Sequence, residues 1–458
     1  MKYIAMTLGP ITDTLMLGRK TSEIWMASYI FSSYMKKVIF DIKKGTDAKF
    51  IVPFVDDDNL FDAKDEGIGM FHDRFIFTTQ TQNIADIEKI LQKHKDELSE
   101  MIATSIKKES AKVKSFINQY LQTYLFESSE NFANPIVDIS NILDSLELHT
   151  PLLEADEDYL RLFLNRDILL QSQLAKDSFG QKPSFDSIEA IAAQEKDSEN
   201  FSAKNAQKYI AIIHADGDNL GEYIKSQSDT TSVSKNLFLF DKKAVESIKE
   251  FGAIPLFVGG DDLLIFAPVI NKKKKTIFHL IEQLSQDYEN RLQTKKSTLS
   301  FGVSITYYKY PLYEALEKSR NALFDVAKKY NYKEHKKNAV AISAQKHSGQ
   351  SFDFCISKNE ESYDSFVSLM GQTLSEEIEL PHAIHHKLSK YNMLFKNIQT
   401  QQLADTFENI FNEEIHQTKF EKGLKEIKNL MVTLGLEESQ QAKLFSMLST
   451  IKLIRGDR

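Results

Sequence analysis

Residues 257–266 combine a glycine turn, two adjacent carboxylates and flanking apolar residues, and this stretch constrains the fold more than any other. Gly259 and Gly260 favour a tight turn, because glycine tolerates a positive φ and leaves space beside the backbone for a ligand. Asp261 and Asp262 follow directly, and β-forming residues lie on both sides. The pattern predicts a β-hairpin with two acids at its tip.

A second apolar run, residues 209–215, leads into another acidic segment. That segment consists of Asp216, Gly217, Asp218 and Asn219. A strand end that carries one acid and a hairpin tip that carries two can meet side by side in one sheet. Mg²⁺ prefers oxygen ligands, and two ions about 4 Å apart can activate a hydroxyl and stabilise a leaving pyrophosphate. We therefore expect Asp216, Asp261 and Asp262 to hold Mg²⁺ or Mn²⁺ against a nucleoside triphosphate.

Each of these residues also has an ordinary structural interpretation. Gly-Gly-Asp alone often marks only a polar turn, so Gly217, Gly259 and Gly260 either shape a nucleotide pocket or simply turn the chain. Asp216 could cap the following helix, a role that Asp218 or Asn219 fills equally well. We favour metal for Asp216 and leave Asp218 open between the two roles. Adjacent carboxylates repel each other unless a cation or solvent compensates them, which favours the metal interpretation of the hairpin tip.

Length and composition limit the class of protein. A chain of 458 residues is too long for one ordinary core, and 42% hydrophobic with 27% charged residues is typical of a soluble globular protein. The net charge of −8 argues against general coating of nucleic acid but leaves room for a local basic groove. The single cysteine, Cys355, excludes an internal disulfide and a cysteine-based zinc finger. Because no long apolar run and no signal peptide are present, we expect a cytoplasmic protein without membrane contact.

The hydrophobic pattern divides the chain into four parts. We predict a degenerate palm-like α/β domain at 1–85, a helical domain with connector at 86–208, a catalytic palm at 209–350 and a C-terminal helical domain at 351–458. Within the second part, helical spacing runs through 86–178, and the polar residues 179–208 form the connector. In the first part, strands are predicted at 4–8, 49–55 and 74–78 around a helix at 12–38. The segment Asp56-Asp57-Asp58 could replace the acidic tip there, but it is more typical of a solvated loop, because no glycine turn accompanies it.

The predicted elements of the third part follow the order β-α-β-β-α-β, with a further helix and strand. This is the ferredoxin-like order found in the palm of many polymerases and cyclases. Its strands are predicted at 209–215, 253–258, 263–268, 298–307 and 337–343. Its helices are predicted at 220–225, 241–251, 275–293 and 311–330. The fold class is therefore α+β, with two ferredoxin-like (GGDEF-like, cyclase-like) palm domains, one of them degenerate, and helical domains between them and at the C-terminus.

Several motifs together resemble one known family. They are Asp216-Gly217-Asp218-Asn219-Leu220-Gly221, Gly259-Gly260-Asp261-Asp262, Ser300-Phe301-Gly302-Val303-Ser304-Ile305, residues 311–316, Ala327-Lys328-Lys329 and Lys337-Asn338-Ala339-Val340. Residues 9–10, 19–29 and 184–192 add to the likeness. The chain resembles the large, polymerase-like subunit of type III CRISPR effector complexes, most of all the type III-B form. The resemblance extends over residues 1–350 with local gaps.

The resemblance implies a function in antiviral defence. Members bind two ATP molecules at the palm and join them 3′ to 5′ into cyclic oligoadenylate, a second messenger, when a guide-RNA complex pairs with a target RNA. The expected partners are therefore ATP, other type III effector subunits, guide RNA and target RNA. Two alternatives remain open: adenylylation of another acceptor such as S-adenosylmethionine, and a scaffold subunit without catalysis. The absence of other catalytic signatures leaves in-line nucleotidyl transfer as the expected chemistry.

The resemblance also suggests roles for single residues. Lys328 would contact the triphosphate, although a solvated helix end explains it about as well; Lys337 has the same status, and Ser300 would line the nucleotide site. The family's HD nuclease domain and its zinc-binding cysteines have no counterpart in this sequence, so we expect neither, and we give His72-Asp73 little weight as a nuclease motif.

Of three further features, we prefer an ordinary interpretation for the lysine-rich loop and for Trp25. The lysines of residues 271–275 fit a solvated loop better than an RNA contact. Arg19 and Lys20 are possible contacts to guide RNA or a neighbouring subunit. Trp25 fits the core better than a base-stacking surface.

Overall fold

The structure is a computed structural model of the full chain. It describes residues 1–57, 61, 67–149, 153, 156–180, 183, 185–194, 205–227, 229–381, 384–415 and 417–456. The predicted connector at 179–208 and the segment Asp56-Asp57-Asp58 lie partly outside these residues. In the described part, no helix has both the length and the apolar content needed to cross a bilayer.

The first unit contains a four-stranded sheet in the order β2-β3-β1-β4. Its strands are β1 (Lys2–Gly9), β2 (Lys49–Val52), β3 (Arg74–Thr79) and β4 (Gln122–Ser128). Both β3 and β4 pair antiparallel with the central strand β1. With the long helix Thr21–Gly45 between β1 and β2, and Ile84–Ile106 between β3 and β4, this is a ferredoxin-like β-α-β-β-α-β unit.

The second unit contains a six-stranded sheet in the order β12-β11-β8-β5-β7-β6. Its strands are β5 (Tyr209–Asp218), β6 (Ile254–Gly259), β7 (Asp262–Pro268), β8 (Thr298–Tyr307), β11 (Ala339–Gln345) and β12 (Ser351–Ser357). The first four repeat the order of the first unit, while β11 pairs parallel to β8 and extends the sheet. A separate two-stranded ribbon consists of β9 (Asn331–Tyr332) and β10 (His335–Lys336).

Helices cover the sheets and form the rest of the described chain. In and after the first unit they are Ile11–Leu15, Thr21–Gly45, Ile84–Ile106, Ser110–Tyr120, Pro135–Glu147, Tyr159–Phe163, Arg166–Leu169, Gln173–Phe179 and Ile188–Ala193. In the second unit they are Leu220–Lys225, Thr230–Phe251, Ile277–Leu292 and Leu312–Asn321. The C-terminal helices are Glu361–Leu374, Ile384–Lys390, Asn392–Lys396, Leu403–Ile410, Asn412–Ile415, Thr418–Leu434 and Glu438–Arg455.

Alternate residues of β5 face two different cores. Ile210 and Ile212 belong to the core of the first unit, whereas Ala211 and Ile213 belong to the core shared with the C-terminal helices. Successive side chains of a strand point to opposite faces, so this one strand is buried on both sides. The continuous apolar run at 209–213 follows from that double burial.

The two sheets also meet directly. Gly69 forms an isolated parallel bridge with Phe257, and the amide of Val258 donates a hydrogen bond to the carbonyl oxygen of Gly69 at 2.9 Å. Strand β6, which leads to the acidic hairpin tip, is thus fixed against the first unit. The cleft beside the tip therefore has walls from both units.

Two local predictions were wrong and a third was incomplete. Residues 86–178 are not helical throughout, because Gln122–Ser128 forms β4 and completes the first sheet. The C-terminal part consists mostly of helices, but it begins with a strand, Ser351–Ser357, which pairs with β11. The helix predicted at 311–330 ends at Asn321 and continues as a π-helical turn, Ala322–Val326, and a 3₁₀ turn, Ala327–Lys329. The domain boundaries remain a proposal, and we now place the end of the first unit beyond β4.

Candidate active site

The acidic hairpin forms as predicted, and its strands are each one residue longer at the tip, which leaves a two-residue loop. Gly259 pairs with Asp262 at the end of the β6–β7 ladder, which leaves Gly260 and Asp261 as the loop. Gly260 adopts φ 69°, a left-handed value that glycine reaches without strain. A side chain at Gly259 would meet the Phe257 ring at 2.7 Å. The left-handed φ therefore favours glycine at 260, and a side chain at 259 would need the Phe257 ring to move.

Strand β5 brings Asp216 beside this tip. The β5–β7 ladder ends with Ala215 opposite Leu263, so Asp216 lies next to Asp262 at the same end of the sheet. Oxygen atoms from Asp216, Asp261 and Asp262 all lie within 4.8 Å of one another. A Cβ on Gly217 would collide with the Asp261 side chain, so glycine is needed there for the two segments to approach.

This triad fits a divalent metal ion. Its donors are all carboxylate oxygens, the type that Mg²⁺ and Mn²⁺ prefer. Burial raises the pKa of Asp261, repulsion from Asp216 adds to this, and the Lys328 ammonium opposes it. The pKa of Asp262 is also raised, by burial and then by repulsion from Asp261 and Asp216. The surface of Asp262 is accessible, but it faces a cleft walled by protein, and a cation there would relieve the repulsion.

Lys328 reaches into the same cluster. Its ammonium group, 12% exposed, forms ion pairs with Asp216 and with Asp218, the latter at 3.0 Å, and donates to the carbonyl oxygen of Asp216 at 2.9 Å. Burial alone would lower the pKa of Lys328, but the two carboxylates outweigh this and raise it. Lys328 is therefore a charged group of the site and not a solvated helix end.

The irregular backbone before Lys328 explains how it gets there. The π-helical turn Ala322–Val326 packs onto β8 at Gly302, where an added Cβ would collide with the backbone of Ser319 and Leu323. Single π-helical turns occur often at functional sites. The turn changes the direction of the chain and brings Lys328 to the end of β5.

Asp218 and Ser300 form a buried anchor behind the triad. One oxygen of Asp218 accepts hydrogen bonds from Ser300 at 2.7 Å, from Thr298 at 3.0 Å and from the amide of Asn338 at 3.0 Å. Asp218 and Ser300 have no exposed surface. In this arrangement the Asp218 carboxylate neither caps a helix nor faces the cleft, and Ser300 contacts Asp218 instead of the predicted nucleotide site.

The other predicted residues lie at the edge of the site. Asn219 has φ 56°, is exposed and makes no side-chain cap for the helix Leu220–Lys225. Lys337 has φ 63° and donates its amide to the carbonyl oxygen of Tyr330 at 2.7 Å. Neither side chain belongs to the acidic cluster, so their nucleotide contacts remain predictions.

A cavity of about 330 Å³ adjoins the triad and lies between the two units. The first unit contributes Phe54, Phe71, His72, Asp73 and Arg74 to its wall. The second contributes Leu220, Phe238, Asp241, Gly260, Asp261 and Asp262. Ligand sites are typically concave, largely apolar and a few hundred Å³ in volume, with a few polar groups. This cavity has that character, and carboxylates from both units line it.

Two cavity residues were missed or given little weight. Asp241, 1% exposed, accepts the Gly260 amide at 3.0 Å, and its second oxygen is buried with no hydrogen-bond partner. Burial raises the pKa of Asp241 well above its usual value, and burial raises that of Asp73 to about 6. Asp241 lies on an ordinary amphipathic helix, Thr230–Phe251, so no sequence signal marks it. His72-Asp73 lines the cavity and shows no cluster of metal-binding histidines among the described residues.

The candidates that remain are Trp25, the pair Arg19 and Lys20, and the lysine-rich loop at 271–275, and all of them lie outside the acidic cluster. Trp25 is 1% exposed, which confirms its assignment to the core. Arg19 stacks over the ring of Tyr313 at 4.3 Å, whereas Lys20 is exposed. Asn271 closes the lysine-rich loop by accepting the amides of Lys273 and Lys275, each at 2.9 Å. The lysines at 272–275 are exposed, and Lys274 forms an ion pair with Glu376 at 3.8 Å.

Comparison with known proteins agrees with the geometry. Residues 209–341 match the family model of the Cas10/Cmr2 second palm domain, and residues 3–115 match that of the N-terminal domain of the CRISPR-associated protein Cmr2. The chain is 28% identical over 173 residues to the CRISPR system Cmr subunit Cmr2 of Pyrococcus furiosus. That match covers 32% of this chain and 19% of the relative, so it spans less than a fifth of the relative's length.

Solved structures show the same fold. A type III-B Cmr-beta structure in the apo state superposes with a TM-score of 0.59 at 10% identity, covering 87% of this chain and 76% of that one. A Csm1-Csm4 cassette in complex with cA4 gives 0.52 at 12% identity, covering 99% and 69%. The two domain models together match more than half of the chain. The chain therefore belongs to the Cas10/Cmr2 family, the polymerase-like large subunits of type III CRISPR systems.

Proposed function

We propose that this chain is a nucleotidyltransferase that makes cyclic oligoadenylate from ATP within a type III-B effector complex and is activated by target RNA. The observation that carries the proposal is the cluster of Asp216, Asp261 and Asp262 within 4.8 Å, beside Lys328 and the interdomain cavity. Solved Csm1-Csm4 cassettes in complex with cA4 and with pppApA share the fold at TM-scores of 0.52, which supports adenylate chemistry at this palm.

The proposed step is an in-line displacement. The 3′-hydroxyl oxygen of one adenosine attacks the α-phosphorus of a second ATP, the bond to the bridging oxygen breaks, pyrophosphate leaves and the hydroxyl proton passes to solvent. Mg²⁺ or Mn²⁺ held by the triad would neutralise the charge of the phosphates. Lys328 supplies a fixed positive charge next to these ligands, and the buried anchor at Asp218 holds that charge in place. The cavity walls exclude water from the reacting groups and orient the nucleotides.

The decisive experiment uses the assembled complex with guide RNA. Matching target RNA, Mg²⁺ or Mn²⁺ and labelled ATP are added, and products are identified by mass. Cyclic adenylates that require target RNA are expected. Their absence with guide and target RNA bound would refute the proposal and favour a scaffold subunit.

The acids in the cavity wall favour one alternative. Asp73 and Asp241 bring two further carboxylates, one from each unit, to a cavity that already holds Asp261 and Asp262. A cation bound there would stabilise the ionised form of these acids, so such a wall suits a cationic acceptor better than a second triphosphate. Adenylylation of S-adenosylmethionine, which carries a sulfonium and an ammonium group, would fit. Repeating the reaction with and without this compound separates the two functions, because the conjugate has its own mass.

A further inference from the structure

The C-terminal helix Glu438–Arg455 contacts the segment that carries Lys328 through a buried polar network. The ammonium of Lys443 forms an ion pair with Glu360 at 2.9 Å and donates to the hydroxyl of Tyr330 at 3.1 Å. The same hydroxyl donates to the other oxygen of Glu360 at 2.8 Å. All three side chains are thus bonded to one another.

The network is buried, and Glu360 accepts further hydrogen bonds within it. The Lys443 and Glu360 side chains are 9% and 5% exposed. Glu360 also accepts the amide of Ser357 at 2.9 Å and the hydroxyl of Ser362 at 3.0 Å. A buried ion pair with additional hydrogen bonds defines one geometry, and removing a single partner leaves a costly unpaired charge. Tyr330 is therefore held at a defined position relative to the C-terminal helix.

Tyr330 is two residues beyond Lys328 and directly follows its 3₁₀ turn, Ala327–Lys329. On the other side of that turn, the π-helical turn is packed against Gly302. The short segment that carries Lys328 is therefore fixed at both ends, by the second sheet and by the C-terminal helix. The hydrogen bonds and ion pairs of the Lys328 ammonium go to Asp216, Gly217 and Asp218, so we expect the C-terminal helix to act on it through the backbone at Tyr330.

We propose that Tyr330, Glu360 and Lys443 are positioning residues that hold Lys328 on Asp216 and Asp218. The C-terminal helical region then helps to position a residue of the active site, in addition to any role in docking or stability. The link to catalysis rests on the nucleotidyltransferase function proposed above, whereas the placement of Lys328 does not.

The test measures how often the Lys328 ammonium leaves its ion pairs. The whole complex is treated with an amine-acylating ester, and the modification of Lys328 is followed by peptide mass spectrometry. Two variants loosen the network without leaving a lone buried charge: Tyr330→Phe removes one hydroxyl, and Lys443→Met with Glu360→Gln removes both charges. Tyr223→Phe is the matched control, since it deletes a hydroxyl that donates to the Leu292 carbonyl oxygen at 2.9 Å in the same unit.

We expect Lys328 to be modified roughly fivefold faster in Tyr330→Phe, the effect of one net hydrogen bond on an open–closed equilibrium. The double variant should show a larger increase, and Tyr223→Phe none. Lys95 is the internal reference, because it is buried and donates to the Leu121 carbonyl oxygen at 2.8 Å in the first unit. Unchanged labelling of Lys328, or an increase that Lys95 shares, would overturn the proposal by assigning the network to general stability.

Turnover of ATP is measured on the same samples. If the network positions a catalytic lysine, the KM for ATP rises by about the same factor as the labelling rate. In one outcome, the wild-type complex makes no product while the variants still show faster modification of Lys328. That result would refute the proposed function and leave the positioning role standing. Normal product formation with unchanged labelling would refute the positioning role alone.

Discussion

The two ferredoxin-like units have the same strand order but different residues at the corresponding strand ends. In the second unit, the β5–β7 ladder ends with Ala215 opposite Leu263, and the next residues are Asp216 and Asp262. In the first unit, the β1–β3 ladder ends with Thr7 opposite Arg74. The residues that follow this last pair outward are Leu8 and Asp73, and the amide of Leu8 donates to the Asp73 carbonyl oxygen at 2.9 Å. Of these two outward positions in the first unit, only Asp73 is acidic.

The connections between the strands differ as well. The second unit joins β6 to β7 through two residues, whereas the first joins β2 to β3 through the long segment from Pro53 to Asp73. Arg74 at the start of β3 is neutralised by Asp144 and Glu147, each at 2.6 Å. The same strand order therefore carries a cluster of acids in the second unit and a wall of the cavity in the first. The difference lies in the residues at the strand ends, because a fold alone does not determine function.

The largest expected effect is the loss of activity when acids are changed in the second unit but not in the first. Changing Asp261 and Asp262 together to Asn should reduce nucleotidyl transfer by roughly a thousandfold or more, since metal ligation supplies several kcal/mol of charge stabilisation. The measurement is the rate of product formation by the complex with target RNA. Asp56→Asn changes an exposed acid of the first unit and should leave the rate nearly unchanged. A comparable loss in both would break the assignment of catalysis to the second unit.

The second prediction concerns Lys328 and its neighbour. Lys328→Met should lower the rate on the order of a hundredfold, because one preorganised charge at the reacting phosphates is removed. Lys329, on the same turn, forms an exposed ion pair with Asp325 at 2.8 Å, and exposed pairs contribute little. Lys329→Met should therefore behave like the wild type. Equal rates for the two variants would contradict a role for Lys328 at the site.

The third prediction uses two glycines on either side of Asn219. Gly217→Ala places a methyl group against Asp261, and displacing a ligand by about 1 Å can cost tens-fold in rate. At Gly221 an added Cβ meets nothing within 4 Å, so Gly221→Ala should keep full activity. Rates and thermal unfolding are measured together. An active Gly217→Ala variant would show that the close approach of the two segments is dispensable.

The smallest effect is a pH-dependent change in stability. A carboxyl whose pKa is higher in the folded than in the unfolded chain binds more protons when folded, so stability falls as pH rises above about 4. Because the pKa of Asp262 is raised, Asp262→Asn should stabilise the metal-free chain slightly at pH 8, since solvent at its exposed surface screens the repulsion. Near pH 4 the variant and wild type should unfold alike. Thermal unfolding in EDTA measures this, and a pH-independent difference would argue against the raised pKa.

Sequence reasoning succeeded where a local pattern determines the geometry. The Gly-Gly-Asp-Asp hairpin and the strand leading to Asp216 were predicted because turn and strand preferences are local. Strand β4 was missed because all of its residues are half-buried, and no alternation distinguishes it from the helix before it. Strand β12 does carry such a signal, since Phe352, Phe354 and Ile356 alternate with polar residues or cysteine. This alternation could have identified the strand.

In the candidate site, too, sequence reasoning missed the contacts that no local pattern specifies. The sequence identified Lys328 only by resemblance, because its contact with Asp216 depends on a π-helical turn that no residue pattern specifies. Asp241 and the Tyr330 network were not identified at all. Each of these contacts joins side chains on different elements, so only the assembled fold brings them together.

The bridge between Gly69 and Phe257 has a consequence for how such a cleft is maintained. An active site built between two separate chains is lost on dilution, since its occupancy depends on the concentration of both partners. Here the two walls belong to one polypeptide and are joined strand to strand, so their encounter is intramolecular and has an effective concentration set by the chain itself. The cleft should therefore keep its shape at the few copies per cell at which a surveillance complex could operate.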